Sequence, residues 1–138
     1  MGASYKITNN TTVALDVMRV YWSDVDFLNE KGGIGYRDQN VYRIGVSHSI
    51  GDSWEVRMGY SYADKFAFSD YASGLFLGPG ISNESYAFGV SHRLSSDYEI
   101  QLGYERHIPQ SLNGSGVSAG SRIDVDYEYY LLGVSRLF

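Results

Sequence analysis

The chain has no cysteine and only 2 prolines in 138 residues, and no segment approaches the ~18 consecutive apolar residues of a transmembrane helix. The lack of cysteine excludes disulfide frameworks, thiolate metal sites and cysteine nucleophiles. Basic residues are also scarce, since 11 Lys and Arg face 16 Asp and Glu, and the net charge of -5 argues against a nucleic-acid-binding face. No basic segment followed by an apolar segment opens the chain, as it would in a secretory signal. The sequence therefore predicts one domain, or part of one, that binds no nucleic acid.

Glycine and tyrosine are abundant, with 16 and 13 copies, and part of the sequence repeats. The segments YRIGVSHSI, YAFGVSHRL and YLLGVSRLF begin at positions 42, 86 and 130, an interval of 44 residues each time. The segments that follow the first two copies, 53–62 and 97–106, align with each other as well. A repeated two-strand unit whose last strand ends on Phe138 is typical of a membrane β-barrel.

Apolar and polar residues alternate with a period of two, which predicts strands with one apolar face and one small or charged face. The mean hydropathy of -0.25 does not contradict a barrel, because inward polar residues cancel the signal of outward apolar ones. Glycines 45, 59, 89, 103 and 133 fall on the polar face, as expected of a crowded or curved barrel interior. The pattern changes parity within 12–23 and near Tyr129, which predicts two bulges. The predicted strands are 2–7, 12–23, 40–50, 53–63, 84–94, 97–107 and 124–138.

Short and long connections alternate along the chain. Segments 8–11, 51–53 and 95–97 are rich in turn-forming residues, whereas the long connections 25–39, 64–83 and 108–122 carry Gly, Ser, Asn and Asp. Short turns on one side and long loops on the other are typical of outer-membrane barrels. Tyrosines 42, 62, 86, 104 and 130 are predicted near the outer interface, and Trp54, Tyr98 and Phe138 near the inner one.

The predicted fold class is all-β, an antiparallel transmembrane β-barrel of the outer-membrane type, with 1–138 as a single segment and no second domain. A soluble β-sandwich or lipocalin-like barrel is the alternative, but strands of ten or more residues are long for a sandwich. Bacterial single-chain barrels have even strand numbers of at least 8. Because seven strands cannot close such a barrel, we expect the chain to be the C-terminal portion of a larger one, with Phe138 a true terminus and Met1 not the natural start.

Three long segments resemble the C-terminal half of the FadL/TodX-type outer-membrane transporters of long-chain fatty acids and aromatic hydrocarbons. They are ASYKITNNTTVALDVMRVYWSD (3–24), YRIGVSHSIGDSWEVRMGYSYAD (42–64) and LGPGISNESYAFGVSHRLSSDYEIQLGYER (77–106), followed by the terminal YLLGVSRLF. The resemblance implies a 14-stranded barrel in the bacterial outer membrane, plugged by an N-terminal hatch, with a lateral exit for the ligand. It also implies passive uptake of hydrophobic compounds without a cofactor. Arg136 departs from the family pattern, which favours an apolar or aromatic residue there.

Two sets of residues are candidates for ligand contact. The charged residues of the inward face could line a permeation path or hold a ligand carboxylate, or could form a structural charge network. The apolar residues of the loop 64–83 could capture a hydrophobic ligand or extend the strands above the membrane. The first set is Arg43, Glu55, Arg57, Arg93, Glu99 and Glu105; the second is Phe66, Phe68, Leu75, Phe76 and Leu77.

Catalytic and metal-binding interpretations are weaker. Ser47–His48 and Ser91–His92 suggest nucleophile–base pairs, but neighbours in a strand point to opposite faces and cannot pair. The acidic run Asp124, Asp126 and Glu128 could bind a divalent cation together with lipopolysaccharide, or could be a solvated strand extension. We therefore predict no enzyme and no metal site. The alternative function is a small structural or adhesion barrel, and the predicted partners are a hydrophobic ligand, outer-membrane lipid with lipopolysaccharide, and the barrel-assembly machinery, through the strand ending at Phe138.

Overall fold

The structure, a computed structural model, describes residues 1–29, 34–68, 70, 72, 75 and 81–136. The strands of this part are β1 Gly2–Thr8, β2 Thr11–Val20, β3 Gln39–Ile50, β4 Trp54–Ala63, β5 Glu84–Arg93, β6 Tyr98–His107, β7 Gln110–Asn113, β8 Arg122–Val125 and β9 Glu128–Arg136. Seven of them form one antiparallel sheet in the order β1-β2-β3-β4-β5-β6-β9, and β7 and β8 form a separate hairpin between β6 and β9. Each strand of the sheet pairs with the next sheet strand along the chain, so the sheet is a simple meander.

The predicted short turns join β1 to β2, β3 to β4 and β5 to β6. In the turn between β3 and β4, Gly51 has a φ of 61°. This left-handed conformation suits glycine because other residues meet a steric penalty there. The long connections leave the opposite end of the sheet, and among the described residues they include the short 3-10 turns Trp22–Asp24 and Gly116–Ser118.

The register corrects both predicted bulges. β2 pairs with β3 without a shift from Thr11 opposite His48 to Val20 opposite Gln39. Trp22 changes parity because β2 has ended and a 3-10 turn has begun, so the bulge predicted in 12–23 was wrong. Near Tyr129 the strand is interrupted: β8 ends at Val125 and β9 begins at Glu128. Among the described pairs, a register shift occurs instead between Lys6 and Thr8 of β1.

The sheet has one apolar face and one polar face, as the alternation predicted. On the apolar face Tyr42 lies opposite Tyr62, and Tyr104 lies opposite Tyr130 with ring centroids 5.3 Å apart. Large apolar residues of this face are exposed, including Met58 and Leu132 at 60% and 74%. The buried hydrophobic residues of the described chain lie instead toward the long-loop end: Val41, Ala63, Phe66, Ala67, Ala72, Leu75 and Val125.

The sheet is antiparallel, as predicted, and it is not closed: β1 and β9 pair on one side only within the described residues. Both edge strands run toward the short-turn end. Six reversals of direction separate β1 from β9 in the sheet, and after an even number of reversals the strand direction is the same. Direct pairing of the two edges would therefore be parallel. None of the helical turns in the described residues is long and apolar enough to span a membrane.

Candidate functional site

The polar face carries all six charged residues singled out from the sequence. Arg93 lies opposite Glu99, and Arg57 lies between Ser47 and Gly89. Glu55 and Glu105 share this face, opposite Ser91 and Ala87 respectively. The register thus gathers the charges on one face, and their part in a permeation path stays a prediction.

Several of these charges are paired. Arg43 contacts Asp16 across β2 and β3 at 3.3 Å, and Arg57 contacts Glu55 along β4. Arg43 is half-exposed and Asp16 is 40% exposed, so such a contact contributes ~0–1 kcal/mol to stability. A ligand carboxylate that approached Arg43 would meet the Asp16 carboxylate beside it, because Arg43 Nη1 donates to Asp16 Oδ2. Asp16 was not identified from the sequence, because its partner Arg43 is 27 residues away and their contact depends on the register of β2 and β3.

A concavity of about 580 Å³, here called the trough, opens on the polar face. Its floor is a row of small residues in register across β2, β3, β4 and β5: Ala14, Gly45, Gly59 and Ala87. Its rim carries two polar pairs: Asp16 with Arg43, and Glu105 with His107. A volume of 300–1,000 Å³ is typical of small-molecule sites, and the trough falls within that range.

The glycines of the floor are not imposed by crowding. A Cβ on Gly45 would lie 3.6 Å from the Met58 carbonyl oxygen, and one on Gly59 would lie 3.6 Å from the Ile44 carbonyl oxygen. These are ordinary van der Waals distances, so larger residues would fit the backbone and fill the trough. Crowding by the described residues therefore does not explain these two glycines, and a curved interior, the alternative expectation, stays a prediction. A second hollow of about 300 Å³ adjoins the trough and shares Gly59, Ala87 and Glu105 with it.

His107 connects the trough to the loops. Its Nε2 lies 3.1 Å from Glu105 Oε1, and its Nδ1 lies 2.8 Å from Ser82 Oγ. Because a carboxylate only accepts hydrogen bonds, Nε2 carries the proton and Nδ1 accepts from the Ser82 hydroxyl when the ring is neutral. The ring also packs on Tyr127 at 4.3 Å.

The apolar loop residues form a packed cluster, here called the cap, beside the long-loop end of the sheet. Phe66 and Leu75 are 9% and 1% exposed, and β4 ends at Ala63 before the run begins. Phe68 lies under the Arg37 guanidinium at 3.9 Å. Phe76 and Leu77 fall outside the described residues. The cap comprises Phe66, Ala67 and Leu75 with Trp22, Ile34, Tyr36, Ile81, Leu112 and Ile123.

Aromatic contacts and hydrogen bonds hold the cap together. The Phe66 ring stacks on Trp22 at 5.7 Å and meets Tyr36 edge-on at 4.9 Å. Burial raises the pKa of Tyr36. Nearby, the Ser23 hydroxyl and backbone N–H donate to Asp38, and with Arg19 they lower the pKa of that carboxyl. The cap therefore has its own apolar core and a charged border. Its role as a capture site stays a prediction.

His48 and His92 do not form nucleophile–base pairs with the serines that precede them in the sequence. His48 lies on the apolar face with its Nδ1 2.9 Å from Thr11 Oγ1, and His92 stacks on Trp54 at 4.0 Å. Ser47 and Ser91 lie on the polar face.

The residues of the acidic run each have a partner of their own. Asp124 binds Arg122, Asp126 lies 2.6 Å from Arg106, and Glu128 accepts from Tyr104 and Tyr130. No group of three potential metal ligands occurs in the part of the chain that the structure describes.

Comparison with known proteins shows the fold. No protein family and no curated protein matches the chain. Among solved structures, it is similar to the toluene transporter TodX of Pseudomonas putida, with a TM-score of 0.60 and 20% identity over 80% of this chain. The match covers 28% of the TodX chain, so this chain spans a minor part of that structure. The predicted resemblance to FadL/TodX-type transporters is thereby confirmed at the level of the fold, which is that of part of a β-barrel.

Proposed function

We propose that the chain is part of an outer-membrane β-barrel that lets hydrophobic molecules cross passively. The observation that carries the proposal is the fold similarity to a toluene transporter, in a chain whose sheet has one apolar and one polar face. In this proposal the apolar face contacts lipid and the polar face lines the lumen. The remaining strands come from outside the described residues.

The dimensions of the sheet agree with a membrane location. A ten-residue strand such as Trp54–Ala63 at ~3.3 Å per residue and a tilt of ~40° rises about 25 Å, which is the height of the apolar band of such barrels. The tyrosine pairs Tyr42–Tyr62 and Tyr104–Tyr130 lie near one end of the apolar face, where an aromatic girdle is expected. Trp54 and Tyr98 lie toward the other end.

The chemistry of uptake needs no reactive group. A hydrophobic molecule that approaches the cell meets the polar lipopolysaccharide layer, and a barrel lumen with an apolar path lets it bypass that layer. The trough supplies a candidate part of such a path, because its floor exposes backbone and methyl groups with few side chains above them. Lipopolysaccharide outside the loops and the assembly machinery at the last strand are the proposed partners.

The test uses the complete polypeptide that contains these 138 residues, expressed in a Gram-negative strain that lacks its own transporter for hydrophobic compounds. Outer-membrane fractions should contain the protein, and the cells should take up radiolabelled toluene faster than cells with an empty vector. Uptake of a polar solute such as glycerol should not differ between the two strains.

A structural or adhesion barrel would give outer-membrane protein without a gain in toluene uptake, and that outcome would contradict the proposal. Recovery of the folded protein in the soluble fraction would contradict it as well, since the exposed apolar face would then not be in lipid.

A further inference from the structure

We infer that the trough selects uncharged, flat hydrophobic molecules and rejects those that carry a carboxylate, with Asp16 as the residue that sets this preference. The inference rests on the proposed function, whose substrate class it narrows. The proposed uptake could serve either fatty acids or aromatic hydrocarbons, and the trough distinguishes the two by its shape and its charge.

The shape of the trough suits a flat molecule. Gly45 and Gly59 lie opposite each other at the centre of the floor, flanked by Ala14 and Ala87. A Cβ at either glycine would reach no atom closer than 3.6 Å, so the strands themselves would admit a side chain. The space above the floor is open because these two glycines have no side chains. A planar ring system could therefore contact the backbone over a wide area, which an apolar ligand needs for dispersion and burial.

The charges of the rim disfavour an anion. The trough is lined by two carboxylates, Asp16 and Glu105, and by one guanidinium, Arg43. Arg43 is held by Asp16 at 3.3 Å, and the Nε2 of His107 faces Glu105 at 3.1 Å. Among the residues that line the trough, the carboxylates therefore outnumber the guanidinium by one.

The next cation on the face does not change this balance, because Arg57 in the adjoining hollow contacts Glu55. A carboxylate entering the trough would have to compete with Asp16 for Arg43 while leaving water. It would also approach the carboxylates of Asp16 and Glu105, and like charges repel each other. An uncharged ring pays no such cost and leaves both pairs intact. Asp16 thus acts as a built-in competitor for ligand carboxylates.

Two probes of matched shape test the inference: naphthalene, and 1-naphthoate, which adds a carboxylate to the same ring system. Binding to the purified complete polypeptide in detergent is measured by the fluorescence of each probe. We expect the wild-type protein to bind naphthalene at least about tenfold more tightly than 1-naphthoate. The ratio of the two dissociation constants is the measure of specificity. Equal affinities, or tighter binding of 1-naphthoate, would overturn the inference.

Asp16→Asn removes the competitor and keeps the shape of the side chain. The preference for naphthalene should fall by about tenfold, because Arg43 becomes available to the carboxylate of 1-naphthoate. Asp52→Asn is the matched control: it removes one negative charge at the short turn between β3 and β4, away from the trough, and should keep the wild-type preference. If both variants shift the preference equally, net charge and not Asp16 is responsible, and the assignment to Asp16 fails.

Gly59→Val tests the location, since it fills the floor of the trough with a residue that favours strands. Naphthalene affinity should fall at least about tenfold, whereas Gly133→Val, on the same face but outside the trough, should change it less than about twofold. Unchanged binding by Gly59→Val would overturn the site. If Gly59→Val does not fold, the probe ratio and Asp16→Asn still decide. Absence of toluene uptake in cells together with the expected probe ratio would contradict the proposed transport but not the trough's selectivity.

Discussion

The cap buries its apolar side chains, whereas the body of the sheet exposes them. In the cap, Phe66 and Leu75 are 9% and 1% exposed and pack against aromatic and aliphatic neighbours. In the sheet, Leu102 and Leu132 lie in the middle of β6 and β9, yet they are 53% and 74% exposed. β6 and β9 pair without a register shift from Tyr98 opposite Arg136 to Arg106 opposite Glu128, so this exposure does not come from irregular pairing of these strands.

The contrast indicates that the two regions are made for different surroundings. The cap resembles the interior of a water-soluble protein, with an apolar core and polar bonds at its border. The apolar face of the sheet is a continuous patch of the kind that soluble proteins rarely expose. If the chain has the proposed function, membrane lipid covers this patch. The two regions should therefore respond differently to the same kind of change.

The largest effect is expected in the cap. Phe66→Ala should destabilise it by about 3–5 kcal/mol, because the ring is buried and contacts both Trp22 and Tyr36. The measurement is the rate of protease cleavage in the long loops of the complete polypeptide, which reports local opening. Phe27→Ala is the matched control: Phe27 is 66% exposed, and its loss should change cleavage little. Equal sensitivity of the two variants would show that the cap has no core of its own.

A charge on the apolar face should have the next largest effect. Leu102→Arg should cost about 2–4 kcal/mol if this face is in the bilayer, as for arginine near the midplane of other barrels. Folding free energy in lipid vesicles, measured by denaturant titration of the complete polypeptide, gives the value. Gln101→Arg places the same charge one residue away on the polar face and should cost much less. If both substitutions cost little, the apolar face of the sheet is in contact with water, and the contrast between the cap and the sheet does not hold.

The body of the sheet could be predicted from the sequence because strands impose a period of two on any chain with two different faces. The seven sheet strands, the short turns and the face of every candidate charge followed from that period. The ends of the strands were less predictable. Trp22 and Tyr129 changed parity, and a change of parity is compatible with a bulge, a turn or a new strand.

The cap and the trough could not be predicted because they depend on contacts between distant segments. The cap joins Phe66 to Trp22 and to Ile123, and no local pattern shows that these loops meet. The glycines of the floor were visible in the sequence, but the pairing of Asp16 with Arg43 depends on strand register. That register is set by turn geometry and by the pairing of whole strands.

A substitution in a short turn should change stability less than the substitutions at Phe66 and Leu102. Gly51→Ala should cost about 1–2 kcal/mol, because alanine is strained at a φ of 61° although nothing lies within 4 Å of its Cβ. Gly133→Ala is the control: its backbone is extended, its Cβ would meet Gln101 at 3.5 Å, and we expect a change within ~0.5 kcal/mol. Denaturant titration in vesicles measures both, and an equal response would show that turn conformation does not limit the stability of the sheet.

The smallest effect concerns the β7–β8 hairpin next to the cap and appears only in acid. Arg122 and the Ser111 hydroxyl donate to Asp124 and lower the pKa of that carboxyl to about 2. Because the folded pKa lies below the ordinary value of 3.8, the contribution of this group to stability is complete above 3.8 and is lost as the pH falls toward 2. Carboxyl NMR titration should place the midpoint of Asp124 near 2 in the wild-type protein and nearer 3.8 in Arg122→Gln. Asp38, whose pKa is lowered by Ser23 and Arg19 instead, should keep its wild-type midpoint in that variant. An unchanged Asp124 midpoint would show that the hairpin does not hold Arg122 against Asp124 in solution. The border of the cap would then be as open to water as the exposed face of the sheet.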